Sequence, residues 1–176
     1  MKIAVISASP HKNGTSALLA DRFIAGAEEA GHSVFRFNAA FEDIHPCMAC
    51  DACGMNGPCV QKDAIETKLM PRMLEADLLT LVTPLYYYGM SSQLKMVIDR
   101  FYSRTESLHR KKSLFMVTSW NSADWTMTAI AEHYKTLVRY MEWQDVGAVY
   151  ATGCGYREAA ERSEFPEYAW SIGKGL

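Results

Sequence analysis

The chain has 176 residues, of which 49% are hydrophobic, and a formal net charge of −2. This length predicts a single domain over residues 1–176 with a sizeable core. A nearly neutral charge without a basic stripe argues against nucleic acid as a partner, and no segment approaches the roughly 20 apolar residues of a membrane helix. The apolar start of the chain is also too short for a signal peptide. We therefore expect a cytoplasmic protein whose thiols stay reduced.

Short apolar runs alternate along the chain with helical patterns. Strands are predicted over residues 2–7, 33–38, 77–83, 113–118 and 146–151; the first and third are buried apolar runs, and 33–38 alternates with one exposed face. Helices are predicted over residues 16–30, 63–75, 94–101 and 127–141, and a last one within 156–173. The second helix opens on a D-x-x-E capping box at Asp63 and Glu66. Pro71 conflicts with an unbroken helix there, because an interior proline costs about 3 kcal/mol, so we expect a kink or two short helices.

This alternation predicts an α/β fold of three layers. Strands that alternate with helices form a parallel sheet covered on both faces. Five such strands fit the flavodoxin-like order 2-1-3-4-5, with a cysteine-rich loop at 45–60 inserted after the second strand. In this class of fold, ligands bind beyond the carboxyl ends of the strands, where the strand order reverses. The loops after strands one, three and four are therefore the candidate site.

The first of these loops, SASPHKNGTS at 7–16, leads directly into a helix N-terminus. Backbone amides and the positive end of the helix dipole make such a position an anion site. The loop supplies hydroxyls at Ser9, Thr15 and Ser16, and His11 and Lys12 add positive charge. The nucleotide P-loop motif, the dinucleotide fingerprint and a phosphatase cysteine are all missing here, which favours binding of a phosphate over its cleavage. An ordinary polar turn is the alternative.

The other two loops carry aromatic residues. TPLYYYGMSSQLK at 83–95 places three tyrosines at the carboxyl end of a buried strand, where they could flank a flat ring. A packed loop or a subunit contact is the alternative, since tyrosine is enriched at interfaces. TSWNSAD at 118–124 adds Trp120 and Asn121. Its alternative is a helix cap by Ser122 with Trp120 packed against the fold.

Four of the five cysteines, in the spacing C-x₂-C-x₂-C-x₅-C, fall within thirteen residues: Cys47, Cys50, Cys53 and Cys59. Repeated C-x₂-C steps are close to those of [4Fe–4S] ferredoxins, and here the fourth cysteine is near enough to serve the same cluster. Structural zinc usually joins two such pairs across about 15 residues and fits less well. Thiols without metal remain a third possibility. Cys154 is interpreted as a loop residue.

Three segments carry a resemblance to a known family: SASPHKNGTSALL, CMACDACGMNGPCVQKDAIE and ADLLTLVTPLYYYGMSSQLKMVIDRF. They resemble the NADPH-dependent FMN reductase superfamily of flavodoxin-like proteins, and within it the iron–sulfur flavoprotein branch. The resemblance covers about residues 1–105 and the rest only by topology. It implies noncovalent FMN bound by three groups of residues. These are Ser9, His11, Asn13, Thr15 and Ser16 for the phosphate; Pro84, Leu85, Tyr86, Tyr87 and Tyr88 on one side of the flavin; and Ser119, Trp120 and Asn121 on another.

Two features qualify what the resemblance implies. His11 stands where the family commonly has arginine or lysine, with Lys12 as a possible substitute. The branch carries a compact cysteine motif of this form, which strengthens the [4Fe–4S] interpretation, although related reductases keep such cysteines without a cluster.

We therefore predict an FMN-dependent oxidoreductase that takes hydride from NAD(P)H and passes electrons to a small-molecule acceptor, a protein or an iron–sulfur cluster. No side chain need act as acid or base. One alternative is an electron-transfer flavoprotein without its own NAD(P)H oxidation, although a charge of only −2 is low for such proteins. A phosphate sensor or receiver-like domain is a further alternative, but the first loop lacks the acids of a receiver. Exposed aromatic residues suggest a homodimer or homotetramer.

Overall fold

The structure is a computed structural model and describes residues 1–176. The strands are β1 Lys2–Ser7, β2 Ser33–Asn38, β3 Leu78–Tyr86, β4 Gly89–Met90, β5 Lys112–Thr118 and β6 Gln144–Ala151. The α-helices are α1 Thr15–Glu29, α2 Met70–Glu75, α3 Ser92–Asp99, α4 Thr105–Leu108, α5 Thr128–Tyr140, α6 Arg157–Glu161 and α7 Phe165–Lys174. Short 3₁₀ turns lie at Ala39–Phe41 and Arg100–Arg104.

The five long strands form one parallel sheet in the order β2-β1-β3-β5-β6. Counted along the chain, this is the predicted order 2-1-3-4-5. The two-residue strand β4 was not predicted; it pairs antiparallel with the end of β3. Two residues are too few to leave a periodic signal in the sequence, so only the structure reveals this hairpin.

The sheet is buried on both faces. Along β1, Ala4 and Ile6 face one core, which also contains Met73 of α2, while Ile3 and Val5 face the other. Helices α2, α3 and α5 cover the first face, and α1, α6 and α7 cover the second. Double coverage explains why the strands read as continuous apolar runs instead of alternating ones. The predicted three layers are confirmed.

Helices α1 and α7 pack in close contact through two glycines. A Cβ atom at Gly26 would overlap the carbonyl oxygen of Trp170, and one at Gly173 would overlap that of Phe23. The two backbones can approach this closely only without side chains at the crossing. The contact holds the C-terminal helix against the helix that follows the β1 loop.

Pro71 alters the predicted helix without ending it. A π-helical turn over Ile65–Leu69 passes directly into α2, and Pro71 lies in the first turn of α2, just after this irregular turn. The region 156–173, where a last helix was predicted, holds two short helices, α6 and α7. The chain turns after Glu161 and starts α7 at Phe165, with Pro166 again in a first turn.

No helix in the structure combines the length and the apolar character that crossing a membrane would require.

Candidate functional site

The connections from β1 and β3 leave the sheet in opposite directions, since α1 leads to β2 on one side and α3 leads to β5 on the other. A cavity of about 770 Å³ opens at this point, beyond the carboxyl ends of the strands. Four loops supply its lining: Ser9, His11, Asn13, Gly14, Thr15, Ser16, Pro84, Leu85, Tyr86, Thr118, Ser119, Trp120, Cys154, Gly155, Tyr156 and Arg157.

The loop after β1 forms one end of the cavity. Ser9 Oγ accepts a hydrogen bond from the amide of His11 at 3.2 Å, and the amide of Gly14 donates to the carbonyl of His11 at 3.1 Å. Gly14 caps α1 without a side-chain hydrogen bond, so the amides of Thr15 and Ser16 have no acceptor in the chain. Free amides at the start of a fifteen-residue helix favour an anion at this end.

Hydroxyl groups tie this loop to the neighbouring strands. Thr118, at the end of β5, bonds the hydroxyls of Thr15 at 3.0 Å and Ser16 at 2.8 Å. Ser91 donates its hydroxyl to the carbonyl of Ala8 at 3.0 Å, and its amide donates to Thr83 Oγ1 at 3.0 Å. These bonds fix the loop after β1 relative to β3, β5 and the start of α3. Ser16 is fully buried, so its hydroxyl serves this scaffold.

The tyrosine segment forms a tight hairpin between β3 and β4. Tyr87 and Tyr88 are its two central residues, and both have positive φ, 45° and 62°. Positive φ at both central positions is typical of the type I′ turn, which prefers Asn-Gly because such a backbone strains residues with a Cβ atom. Tyr87 is fully exposed, whereas Tyr88 packs on Trp125 with ring centroids 5.0 Å apart.

The hairpin divides the predicted aromatic residues between two adjoining cavities. Tyr86 lines the large cavity, while Tyr87, Tyr88 and Asn121 line a neighbouring one of about 260 Å³. Leu85, Ser119 and Trp120 line both, so they form the boundary. Ten of the thirteen predicted flavin-site residues thus surround the large cavity, and the other three lie on the far side of its wall.

The loop after β5 is held by its own hydrogen bonds. Ser119 Oγ donates to the carbonyl of Asn121 at 2.8 Å, and the Asn121 side-chain oxygen accepts from the amide of Ala123 at 3.1 Å. Helix α5 begins only at Thr128, so Ser122 caps no helix and that alternative was wrong. Trp120 is 70% exposed and lies against Tyr156, with ring centroids 4.9 Å apart.

The loop after β6 also lines the large cavity, and the sequence analysis did not predict this. The amide of Cys154 donates to the carbonyl of Ser119 at 2.7 Å, which joins this loop to the one after β5. Cys154 is a loop residue, as predicted, but a buried one, and burial raises the pKa of its thiol. Arg157 extends from the same loop and donates to the carbonyl of Asn13 at 3.2 Å. The sequence did contain a signal for this loop. Because the fifth predicted strand is parallel to the others, the loop after it must lie at the same edge of the sheet as the other three loops.

Lys12 lies over Phe41, outside the large cavity. Its ammonium lies 5.2 Å from the centre of the Phe41 ring, and Lys12 is absent from the cavity lining. In this position Lys12 does not line the cavity beside His11, and its role as a substitute for the family's cation stays a prediction. Arg157 is the one arginine or lysine among the lining residues.

The cysteine-rich loop lies apart from this cavity. Cys47 and Cys50 are exposed, Cys53 is half-buried and Cys59 is buried, and all are free thiols. The four line one small cavity of about 20 Å³. No three histidine, cysteine, aspartate or glutamate side chains in the chain are grouped closely enough to hold a metal ion. The predicted ligand set therefore shares one cavity but is not closed around a single metal ion.

Arg100 attaches the cysteine-rich loop to the core. Its side chain is almost fully buried and pairs with Asp63 in two hydrogen bonds of 2.7 and 3.2 Å. It also donates to the carbonyl of His45 at 3.1 Å, one residue before Pro46, and to that of Gln61 at 3.4 Å, two residues after Cys59. Arg104 donates to the carbonyl of Gly57 within the loop. Both arginines follow α3, whose N-cap Ser91 bonds Ala8 and Thr83, neighbours of the lining residues Ser9 and Pro84.

Asp63 is ionised in this setting. Burial opposes its charge, but hydrogen bonds from Arg100 and from the amides of His45 and Glu66 outweigh burial, so the pKa of Asp63 lies below its ordinary value. The predicted capping box is only half formed. Asp63 accepts from the amide of Glu66 at 3.2 Å, but the Glu66 carboxylate pairs with Arg104 at 3.0 Å instead of returning to the helix start.

A sequence model of the family described as NADPH-dependent FMN reductase matches residues 1–156. The chain therefore belongs to that family. It is 34% identical over 100 residues to an iron–sulfur flavoprotein of Methanocaldococcus jannaschii, covering 57% of this chain and 51% of that protein. An iron–sulfur flavoprotein of Archaeoglobus fulgidus is 35% identical over 100 residues, with 57% and 48% covered. The chain thus spans about half the length of the curated relatives it matches.

Solved structures confirm the flavodoxin-like fold. An NAD(P)H:quinone oxidoreductase from Methanothermobacter marburgensis superposes with a TM-score of 0.77 at 18% identity, covering 99% of this chain and 96% of that one. An FMN-dependent NADH-azoreductase from Bacillus anthracis gives 0.65 at 17%, with 98% and 100% covered. Megasphaera elsdenii flavodoxin gives 0.62 at 11%, with 99% of both chains covered.

Replacing Tyr87 with asparagine should stabilise the protein. Tyr87 is fully exposed and its backbone is left-handed, so Tyr87→Asn relieves strain without removing a buried contact. We expect the free energy of unfolding in urea to rise by about 1 kcal/mol. Tyr168→Asn is the matched control, because Tyr168 is exposed in the regular helix α7 and should give no gain. An equal or lower stability for Tyr87→Asn would contradict a strained turn.

Replacing Arg100 with methionine should destabilise the protein by about 3–5 kcal/mol at pH 7, because the buried Asp63 carboxylate loses its partner. The native contribution of Asp63 is present above its unfolded pKa of about 3.9 and is lost as pH falls through the lower folded value. The difference between variant and wild type should therefore shrink below about pH 4. Urea unfolding at pH 7 and at a pH below about 4 measures this difference in stability.

Arg110→Met is the control for this experiment. Arg110 and Glu142 form an exposed pair, so its removal should cost less than about 1 kcal/mol at either pH. A comparable small cost for Arg100→Met would show that the buried pair does not stabilise the fold.

Proposed function

We propose that the chain binds FMN noncovalently in the cavity of about 770 Å³ and acts as an NAD(P)H-dependent FMN oxidoreductase. The observation that carries this proposal is the arrangement of that cavity. Unpaired helix amides lie at one end, and Tyr86, Trp120 and Tyr156 lie around the rest. Membership of the NADPH-dependent FMN reductase family supports the same ligand.

The residues present fit FMN. Thr15 and Ser16 offer backbone amides without acceptors, the donor chemistry that a phosphate group requires. The cavity volume lies within the range of about 300–1,000 Å³ usual for cofactor sites. Pro84, Leu85 and Trp120 give an apolar wall suited to a flat aromatic ring. When bound, FMN supplies the redox chemistry, accepting hydride from NAD(P)H and returning electrons to an acceptor.

The chain's own contribution is binding and orientation. The hydrogen bonds of Ser91 and Thr118 hold the phosphate end of the cavity rigid relative to its aromatic walls. The Tyr87–Tyr88 hairpin lies at the entrance to the neighbouring cavity, which Leu85 and Trp120 border as well. We propose that nicotinamide and a small-molecule or protein acceptor approach from this side in turn. No acid–base residue is required for hydride transfer, and none is assigned.

FMN titration tests the proposal. The purified chain should quench FMN fluorescence in a saturable way, and NADPH or NADH should then bleach the visible flavin absorbance in the absence of oxygen. Binding without bleaching would favour the alternative, an electron-transfer flavoprotein that other proteins reduce. No quenching and no bound flavin would contradict the proposal itself.

We also propose that Cys47, Cys50, Cys53 and Cys59 hold a [4Fe–4S] cluster in the cell. Support comes from their shared cavity, from their free thiols and from the curated relatives that are iron–sulfur flavoproteins. In a [4Fe–4S] cluster each cysteine binds a different iron, so the four thiols stand farther apart than the ligands of a single ion. Because the four thiols as arranged do not close around an ion, no step of the proposed reaction passes through this loop.

Iron and sulfide analysis of protein purified without oxygen tests the cluster. About four irons and four sulfides per chain are expected, and Cys50→Ala should lower both while leaving FMN binding intact. Cys154→Ala is the control, since that thiol lies outside the loop. Wild-type protein without iron and sulfide after anaerobic purification would leave the thiols metal-free and contradict the cluster.

We propose a cytoplasmic location, because five free thiols suit a reducing compartment. We also propose a homodimer or homotetramer, because Tyr87, Trp120 and Trp125 are large exposed aromatic side chains near one edge of the sheet. A single monomeric species in sedimentation velocity would contradict the oligomer.

A further inference from the structure

Arg157 is placed at the phosphate end of the cavity although it comes from the opposite end of the chain. Its Nη1 donates to the carbonyl of Asn13 at 3.2 Å, within the loop after β1. Its Nε donates to Glu161 Oε1 at 2.7 Å, one helical turn further along α6. The side chain remains 38% exposed and lines the large cavity.

The loop that carries Arg157 is fixed by its neighbours. The Cys154 amide bonds the carbonyl of Ser119 at 2.7 Å, and Gly155 lies directly under Trp120, where a Cβ atom would come within 3.0 Å of the indole ring. Glu161 holds the guanidinium from the other side. Arg157 is therefore held in place beside the β1 loop and does not hang freely in solvent.

The cavity otherwise lacks a permanent positive charge. His11 lines it, but an imidazole is not charged at every physiological pH, whereas a guanidinium is. Lys12 lies over Phe41 and is outside the lining. A guanidinium has five N–H donors, of which Glu161 and Asn13 use two, so three remain for an anion.

We propose that Arg157 pairs with the phosphate group of FMN and supplies a permanent positive charge that no other residue lining the cavity has. This inference rests on the proposed function, since it assumes that FMN occupies the cavity. Asn13 and Glu161 act as positioning residues that aim the guanidinium. Because the contact involves only the phosphate, Arg157 should separate FMN from riboflavin, which has the same ring system without the phosphate.

The test compares the dissociation constants of FMN and riboflavin by fluorescence quenching. Arg157→Gln should weaken FMN binding by about 10- to 100-fold, as expected for a lost charge-assisted hydrogen bond, and should change riboflavin binding by less than about twofold. FMN affinity in the variant should also depend less on salt. Arg162→Gln is the matched control. It removes the same charge from an exposed residue just after α6 and should leave both constants unchanged.

The results distinguish the role of Arg157 from the binding of flavin itself. Equal losses for FMN and riboflavin, or no loss for either, would overturn the role of Arg157 while leaving flavin binding intact. Wild-type protein that binds neither flavin would overturn the proposed function instead. If Arg157→Gln does not fold, Arg157→Met decides, since it also removes the charge while keeping a side chain of similar length. A selective loss of FMN affinity of about threefold or more supports the proposal, and unchanged FMN affinity overturns it.

Discussion

The site depends on a constraint of topology. The chain leaves β1 toward one edge of the sheet and leaves β3 toward the other, so the two loops diverge and no helix covers the space between them. Parallel pairing then brings the ends of β5 and β6 to the same edge. A hydrogen bond from Ser91 to Ala8, one from Thr15 to Thr118 and one between Ser16 and Thr118 close the scaffold around that opening. The cavity, its amide-rich end and its aromatic walls all follow from this arrangement.

The buried pair of Arg100 and Asp63 extends the same scaffold to the cysteine-rich loop. Arg100 follows α3, the helix that starts beside the cavity, and it binds backbone carbonyls near both ends of the loop. The cysteine-rich loop is therefore anchored by a buried side chain that directly follows α3. The loop itself is irregular, with left-handed residues at Ala49, Asp51 and Met55, so its conformation comes from these anchors and not from regular structure.

The sequence predicted the five parallel strands and their order because short apolar or alternating runs are separated from one another by helical patterns. It also predicted the residues of three loops, because strand ends in this topology converge. It missed β4, which has only two residues, and the break before α7, which depends on Pro166 and local turns. The sequence analysis missed Arg157 because no sequence motif marks an arginine that follows the last strand. Its position beside Asn13 depends on the parallel pairing of β6 with β5.

A crystal structure of the chain with FMN tests the central claim most directly. The account places the phosphate at the amides of Thr15 and Ser16, and the flavin ring between the β3 loop and Trp120. Flavin density in that cavity with this orientation is the predicted result. Density elsewhere, or a flavin in the same cavity with its phosphate directed away from the start of α1, would contradict the account.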